Sequence, residues 1–247
     1  MLGKILRRIH LCIYVCWVVF FFILLYPSLW IACRKPQRNF SLILKIRRIL
    51  ATLSAFFSGF YFEFQFEEQI DWSKTYIICP NHTSILDISV IAILCKKDYS
   101  FMGKEELVNN PITRSFFKTV DISVNRNSKI SSYKAFKLAQ QRLKEKKNLV
   151  IFPEGGITDF YPPVLQEFKS GPFRLAIENK LPIMPVVIHN LWKLLWDEGR
   201  NGSRPGTCVI EVLKPIETTD LDISDVDALR QQVHNLFANR LNSSLKM

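Results

Sequence analysis

The chain has 247 residues, 48% of them apolar, and its 33 lysines and arginines outnumber 22 acidic residues for a formal net charge of +11. That length accommodates one substantial domain with an appendage and needs no disulfides, and the six cysteines lack C-x-x-C spacing, which argues against a zinc site and against a cross-linked scaffold. The basic balance points to an anionic partner, either a membrane surface or phosphate-bearing substrates; nucleic acid is disfavoured, because no nucleic-acid motif is present and the charge sits beside apolar segments.

The first element is an uncharged apolar run, Leu11 to Cys33, long enough to span a bilayer. Lys4, Arg7 and Arg8 precede it, but it is too long for the apolar core of a secretory signal and no small-residue cleavage site follows, so it reads as a retained membrane segment. Arg34, Lys35 and Arg38 follow the run just as Arg7 and Arg8 precede it, so the flanking charge sets no single orientation and is compatible with both ends on the cytoplasmic side. Pro27 inside it favours a kinked, monotopic helix over a straight single span, with both readings kept open. Next, Phe40 to Ser58 repeats apolar residues at helical spacing, interrupted by Lys45, Arg47 and Arg48. It reads as a basic amphipathic helix on a membrane surface, or as a core helix whose cations snorkel. Residues 1–58 are therefore expected to anchor the chain, and residues 59–247 to form its globular domain.

From Phe60 to Glu67 phenylalanines alternate with polar residues and tyrosine, the period-two pattern of a half-buried strand. Beyond Thr75, strand-like runs (TYIIC, LVIF, IMPVVI, TCVIEVL) alternate with helical patterns (ILDISVIAIL, SSYKAFKLAQQRL, PFRLAIENK). The alternation predicts an α/β fold, a mostly parallel sheet flanked by helices, behind an N-terminal membrane-embedded helical segment. Ser224 followed by Asp227 reads as a variant capping signal for a closing helix.

In such a sheet, loops at the carboxyl ends of strands line the site. IICPNHTSILD puts His82 in one of these loops, with Asp87 five residues on, placed to reach back to the ring and leave its other nitrogen as a base. Taken alone, the pair reads equally well as a helix-capping histidine and a first-turn acid. LVIFPEGGITD runs a strand into Glu154, Gly155 and Gly156, where glycines permit close backbone approach, although an acid in a turn is the simpler reading of Glu154. DISVNR ends in Arg126, whose guanidinium suits a bidentate grip on phosphate; in isolation it reads as a surface charge. His189 reads as a loop residue after a strand, and His10 and His234 as structural or exposed.

The blocks N-H-x-x-x-x-D, an arginine ending a strand, F-P-E-G and L-P-I-M-P-V, in that order over Thr75 to Ile188, resemble the 1-acylglycerol-3-phosphate acyltransferase family. By position, the resemblance implies His82 and Asp87 as the catalytic pair and Arg126 as the phosphate-binding arginine. It also implies Glu154, Gly155 and Gly156 as the acceptor-binding block and Pro185 as part of the fourth block. Lys104, in FMGKEEL, falls where the family tends to carry a lysine. Asn125 stands where an aspartate is frequent and Gly156 where threonine is commoner, so the resemblance does not determine the acceptor head group.

The implied chemistry is transfer of a fatty acyl group from an acyl thioester, carried by acyl-CoA or acyl carrier protein, to the free hydroxyl of a lysophospholipid. The first acceptor implied is 1-acyl-sn-glycerol-3-phosphate, with no metal and no cofactor beyond the thioester cosubstrate. The expected partners are a membrane lipid acceptor, the thioester donor and the phospholipid bilayer, with the domain on the cytoplasmic side. Alternatives are another lysolipid or an amino-acid lipid as acceptor, or a catalytically silent membrane-surface protein of the same fold. A hydrolase is disfavoured, because no G-x-S-x-G and no metal-ligand cluster is present.

Overall fold

The uncharged run lies within one continuous helix, α1 (Leu2–Cys33), with Pro27 inside it. The structure is a computed structural model and describes residues 2–197 and 199–244. At 32 residues α1 is about 48 Å long, more than the roughly 30 Å of a bilayer's hydrocarbon core. It does not stand away from the domain. Tyr14, Phe21, Leu29 and Ala32 are buried, and Leu11, Val18, Phe22 and Leu25 pack beside them, a stripe of three- and four-residue intervals along the whole helix. Polar bonds fasten its first turns: the His10 ring bonds Ser203 Oγ at 2.6 Å and the Ser58 carbonyl at 2.9 Å, and Ser203 N–H donates to the Arg7 carbonyl. Pro36 follows shortly after the helix end. The chain then reverses into α2 (Phe40–Phe57), whose preceding Asn39 reaches back from its side chain to the Ala32 carbonyl.

Two residues beyond α2 comes Gly59, whose φ of +69° and whose approach to Pro205 both call for glycine. Strand β1 (Phe60–Phe66) starts at once, with its alternation intact. The remaining elements are β2 (Ile77–Pro80), α3 (Leu86–Leu94), β3 (Tyr99–Lys104), α4 (Arg114–Phe117), β4 (Ile122–Val124), α5 (Lys129–Lys144), β5 (Asn148–Val150), α6 (Gly171–Asn179), β6 (Ile183–Ile188), β7 (Gly206–Val212) and α7 (Val226–Ser244). The sheet runs β1-β7-β6-β2-β5-β3-β4, and only the β6–β7 pairing is antiparallel. The carboxyl ends of five neighbouring strands, β6, β2, β5, β3 and β4, therefore open on one edge, with β2 and β5 side by side among them.

The expected α/β class and mostly parallel sheet are present, and the strand-like runs and helical patterns fall on elements of the expected kind. Three local readings change. Strand β3 was not anticipated, because glycine, serine and lysine interrupt its apolar residues. The final helix is entered through a capping box made by Asp222 and Asp225 rather than by Ser224 and Asp227. Arg47, read as a cation at a membrane surface, is buried.

Two cores flank the sheet. Ile78, Val150, Met184, Val186 and Ile188 face α1, α2 and α3. Ile77, Cys79, Leu149, Ile151, Ile183 and Val187 face residues of α5, α6 and α7, including Ala139, Phe173 and Phe237. The alternation follows from the strand period of two, and burial on both faces makes the strands read as apolar runs.

On the α2 side, Arg47 donates to Asp121 Oδ2 at 2.5 Å, and Asp121 Oδ1 accepts the Phe101 N–H at 3.0 Å. The guanidinium lies over the Phe116 ring at 4.4 Å and the Phe101 ring at 5.2 Å. The pair ties the second N-terminal helix to the entry of β4. Removing one member strands a buried charge, whereas replacing both with apolar residues is far less costly. Asp121→Ala is expected to lower unfolding free energy by about 3–5 kcal/mol, and the double change Arg47→Leu/Asp121→Leu by much less; denaturant titration in detergent checks the order.

Candidate active site

β2 ends at Pro80, and the next residue acts as a clamp. The Asn81 side chain donates to the Ile188 carbonyl at 3.1 Å and accepts the Ile188 N–H at 2.7 Å, locking the ends of β2 and β6 together. The following turn is wound around Asp87, in the first turn of α3 and 0% exposed. One oxygen, Oδ2, receives the His82 ring at Nδ1 (2.9 Å), the Thr83 N–H (2.7 Å) and the Ser84 N–H (2.9 Å). A buried carboxylate oxygen that collects backbone N–H donors acts as an acceptor, so Nδ1–H donates its hydrogen bond to Asp87 and that tautomer leaves the lone pair on Nε2. The imidazole stacks on Phe152 at 4.0 Å between centroids, with an interplanar angle of 23°, and its side chain remains 18% exposed. Its plane is thus held on both counts, by a hydrogen bond at one edge and by a ring against one face.

The second strand end is β5. Glu154 is buried and bridges two loops: Oε1 accepts the His82 backbone N–H at 2.7 Å and Oε2 the Gln166 N–H at 3.0 Å. Burial pushes its carboxyl up to about 7, against the downward pull of the Gln166 and His82 N–H donors, and the nearby Asp87 adds to the rise. Gly155 has φ +85°, a backbone conformation that favours glycine, and a Cβ there would come 2.7 Å from Arg126 Nη1, so the guanidinium lies close over the glycine backbone. Its carbonyl accepts a hydrogen bond from Arg126, two residues beyond the end of β4. Gly156 stands beside Lys104, the last residue of β3: a Cβ there would meet Lys104 Nζ at 3.8 Å.

His82, Asp87, Lys104, Arg126, Glu154, Gly155 and Gly156 therefore gather at one edge of the sheet. Pro185 does not join them: it lies inside β6, opposite Cys79 and three residues before the strand's end. Proline is tolerated there because the β6–β7 ladder stops at Val186, one residue later in β6. Glu154 is engaged by backbone at both oxygens, which makes it a brace for the His82 loop. Asn81, Phe152 and Gln166 complete the site without having been singled out. For Asn81 the signal was its place between strand and histidine; Phe152 and Gln166 are brought in by sheet order and by a loop return that no local pattern announces.

A family model described as Acyltransferase matches residues 61–189. The chain is 29% identical over 184 residues to an uncharacterized acyltransferase of Schizosaccharomyces pombe, covering 74% of this chain and 66% of that protein. It is 27% identical over 176 residues to a 1-acyl-sn-glycerol-3-phosphate acyltransferase of Cocos nucifera (70% of this chain, 56% of the relative). It is 26% identical over 221 residues to 1-acyl-sn-glycerol-3-phosphate acyltransferase alpha of Mus musculus (89% and 75%). The chain thus spans 56% to 75% of these relatives' lengths. Among solved structures, the 1-acyl-sn-glycerophosphate acyltransferase PlsC of Thermotoga maritima matches with a TM-score of 0.79 at 17% identity, over 98% of each chain, a likeness of fold.

The raised carboxyl of Glu154 has a consequence for stability. Its folded value lies above the unfolded one, so its contribution is complete below about pH 4.5 and is lost as pH rises through about 7. Melting temperature followed from pH 4 to 8 is expected to fall across that window in the wild type by the equivalent of about 3 kcal/mol. The Glu154→Gln protein is expected to start lower, because the amide nitrogen opposes an N–H donor, and to show a flatter slope.

Proposed function

Since the chain belongs to the acyltransferase family, we propose that it is a membrane-associated glycerolipid O-acyltransferase that acylates the free hydroxyl of 1-acyl-sn-glycerol-3-phosphate to give phosphatidic acid. The observation that carries this reading is the His82 ring held by the buried Asp87, with Arg126 and Lys104 on the same edge of the sheet. A hydroxyl acceptor needs a base, and the lipid's phosphate needs a cation at a fixed distance from that base.

In this reading Nε2 of His82 takes the proton of the acceptor hydroxyl as its oxygen attacks the thioester carbonyl. The tetrahedral intermediate collapses with cleavage of the carbon–sulfur bond, and the departing thiolate recovers the proton from His82. Asp87 holds the tautomer and stabilises the imidazolium formed in between. Lys104 and nearby backbone donors face the oxyanion, and Arg126 holds the phosphate. The donor is an acyl thioester of CoA or of acyl carrier protein; the charge of either suits the basic chain.

The anchor fits the same chemistry. Phe152, on which His82 stacks, belongs to the core shared with α1 and α2, so the base lies on the face of the sheet that carries the apolar helices. Because α1 is packed along the domain, its outward residues, including Ile13, Phe20, Ile23 and Leu24, would enter one leaflet while the domain stays on the cytoplasmic side. The acceptor then reaches the site from the membrane without leaving it.

Detergent-solubilised protein incubated with lysophosphatidate and an acyl thioester is expected to release thiol and form phosphatidate in step. His82→Ala is expected to lower turnover by about 10²–10⁴-fold with the far-UV spectrum unchanged. Arg126→Ala is expected to raise KM for lysophosphatidate more than for lysophosphatidylcholine. Thiol without lipid product would replace this reading with a thioesterase.

A further inference from the structure

Between Gly156 and Gln166 the chain makes an excursion without regular secondary structure that the mechanism above does not use. Its base is pinned to the site, through Gln166 N–H on Glu154 and Gln166 Nε2 on the Gly156 carbonyl at 3.3 Å. Its crest is apolar and points into solvent: Phe160 is 72% exposed, Val164 58% and Tyr161 49%. Two prolines, Pro162 and Pro163, sit between them. An exposed crest of this composition on a charged protein calls for a partner.

The crest is not loose on the surface. The Tyr161 ring meets Trp192 at 5.4 Å and Trp196 at 5.0 Å, and Asp159 pairs with Arg200 at 2.6 Å. The segment carrying Arg200 is packed on the first turns of α1: a Cβ on Gly199 would strike Leu11, one on Gly202 would strike Arg7, and Ser203 bonds His10. The crest and the amino-terminal half of α1 are thus joined by a single short loop, and that half of α1 exposes Leu2, Ile5, Leu6, Ile9 and Ile13. Lys193 and Arg204 stand in the same region, with Arg204 bonding the Lys193 carbonyl.

We propose that the loop crest Phe160–Val164 is a second membrane contact, inserted into the headgroup–acyl boundary of an anionic leaflet beside the site entrance. Three observations select a lipid surface over a protein partner: continuity with the exposed apolar face of α1, an aromatic and proline crest of the kind that settles at a membrane interface, and cations at its rim that complement anionic head groups. The same loop links the membrane to the base. The Asp197 carbonyl accepts the Ile85 N–H at 3.3 Å and Asp197 N–H donates to the Thr83 carbonyl at 3.2 Å, so the segment under the crest is paired with the turn that holds His82. The proposal rests on the membrane association argued above but not on the acceptor's identity.

The test places a reporter at the crest of the full-length protein. Phe160→Trp protein bound to vesicles of phosphatidylcholine and phosphatidylglycerol is compared with wild type, which carries Trp17, Trp30, Trp72, Trp192 and Trp196, using brominated lipids as quenchers. The additional tryptophan is expected to be blue-shifted and quenched by lipid, and shielded from aqueous iodide. A vesicle-bound protein whose added tryptophan stays open to iodide and unquenched by lipid overturns this proposal alone. Failure to bind vesicles at all overturns it together with the membrane association. In a second arm, Phe160→Ser/Val164→Ser is expected to lower the rate on vesicle-presented lysophosphatidate about tenfold while keeping the rate on a monodisperse short-chain acceptor. A loss on both acceptors alike, or on neither, rejects it.

Discussion

A single buried carboxylate organises the site. Asp87 has no solvent exposure, and its Oδ2 draws in the His82 ring and two backbone N–H groups from the intervening turn. An ionised group in that position is tolerable only with donors converging on it, so the turn must wrap around it. The wrapping in turn decides where the imidazole stands and which nitrogen carries its proton. Placing the acid in the first turn of α3 also sets its charge against the positive end of that helix.

Around this centre the strand ends are locked in sequence-distant pairs. Asn81 binds β6, Glu154 binds the His82 loop to Gln166, and Arg126 binds Gly155. Each lock joins a loop to a neighbouring strand or loop rather than to its own element, so the geometry of the base depends on the register of the whole parallel block. Phe152 adds an apolar wall, which supports the ring and limits water on one face.

The amino-terminal helices belong to this construction. Their inner faces supply residues of the same core that carries Phe152, and the Arg47–Asp121 pair connects α2 with both β3 and β4. A charged pair inside a helix otherwise suited to a membrane surface gives that helix one seating on the domain. The apolar outer face of α1 is consequently presented at a defined orientation to the site.

Much of this was legible from local patterns. The period-two alternation of β1, the apolar runs of β2, β5 and β6, and the helical spacing of α2 and α5 all report burial on identifiable faces, because side-chain direction follows backbone period. The spacing of His82 and Asp87 was enough to suggest the pair, and the order of the blocks was enough to suggest a family. What local pattern does not encode is which strand neighbours which. Parallel strand order decided that Arg126, Lys104 and Glu154 share the edge that carries His82, the length of β6 left Pro185 inside its strand although β6 neighbours β2, and loop packing spent both oxygens of Glu154 on backbone. Tertiary packing buried Arg47, turning a surface cation into an ion pair, and it set an exposed aromatic loop next to the first turns of α1. The sequence by itself determined the elements and the chemistry available at their ends, because periodicity and side-chain type are local properties; only the tertiary structure decided the partners, because those follow from strand register and from the pairing that buried charge demands.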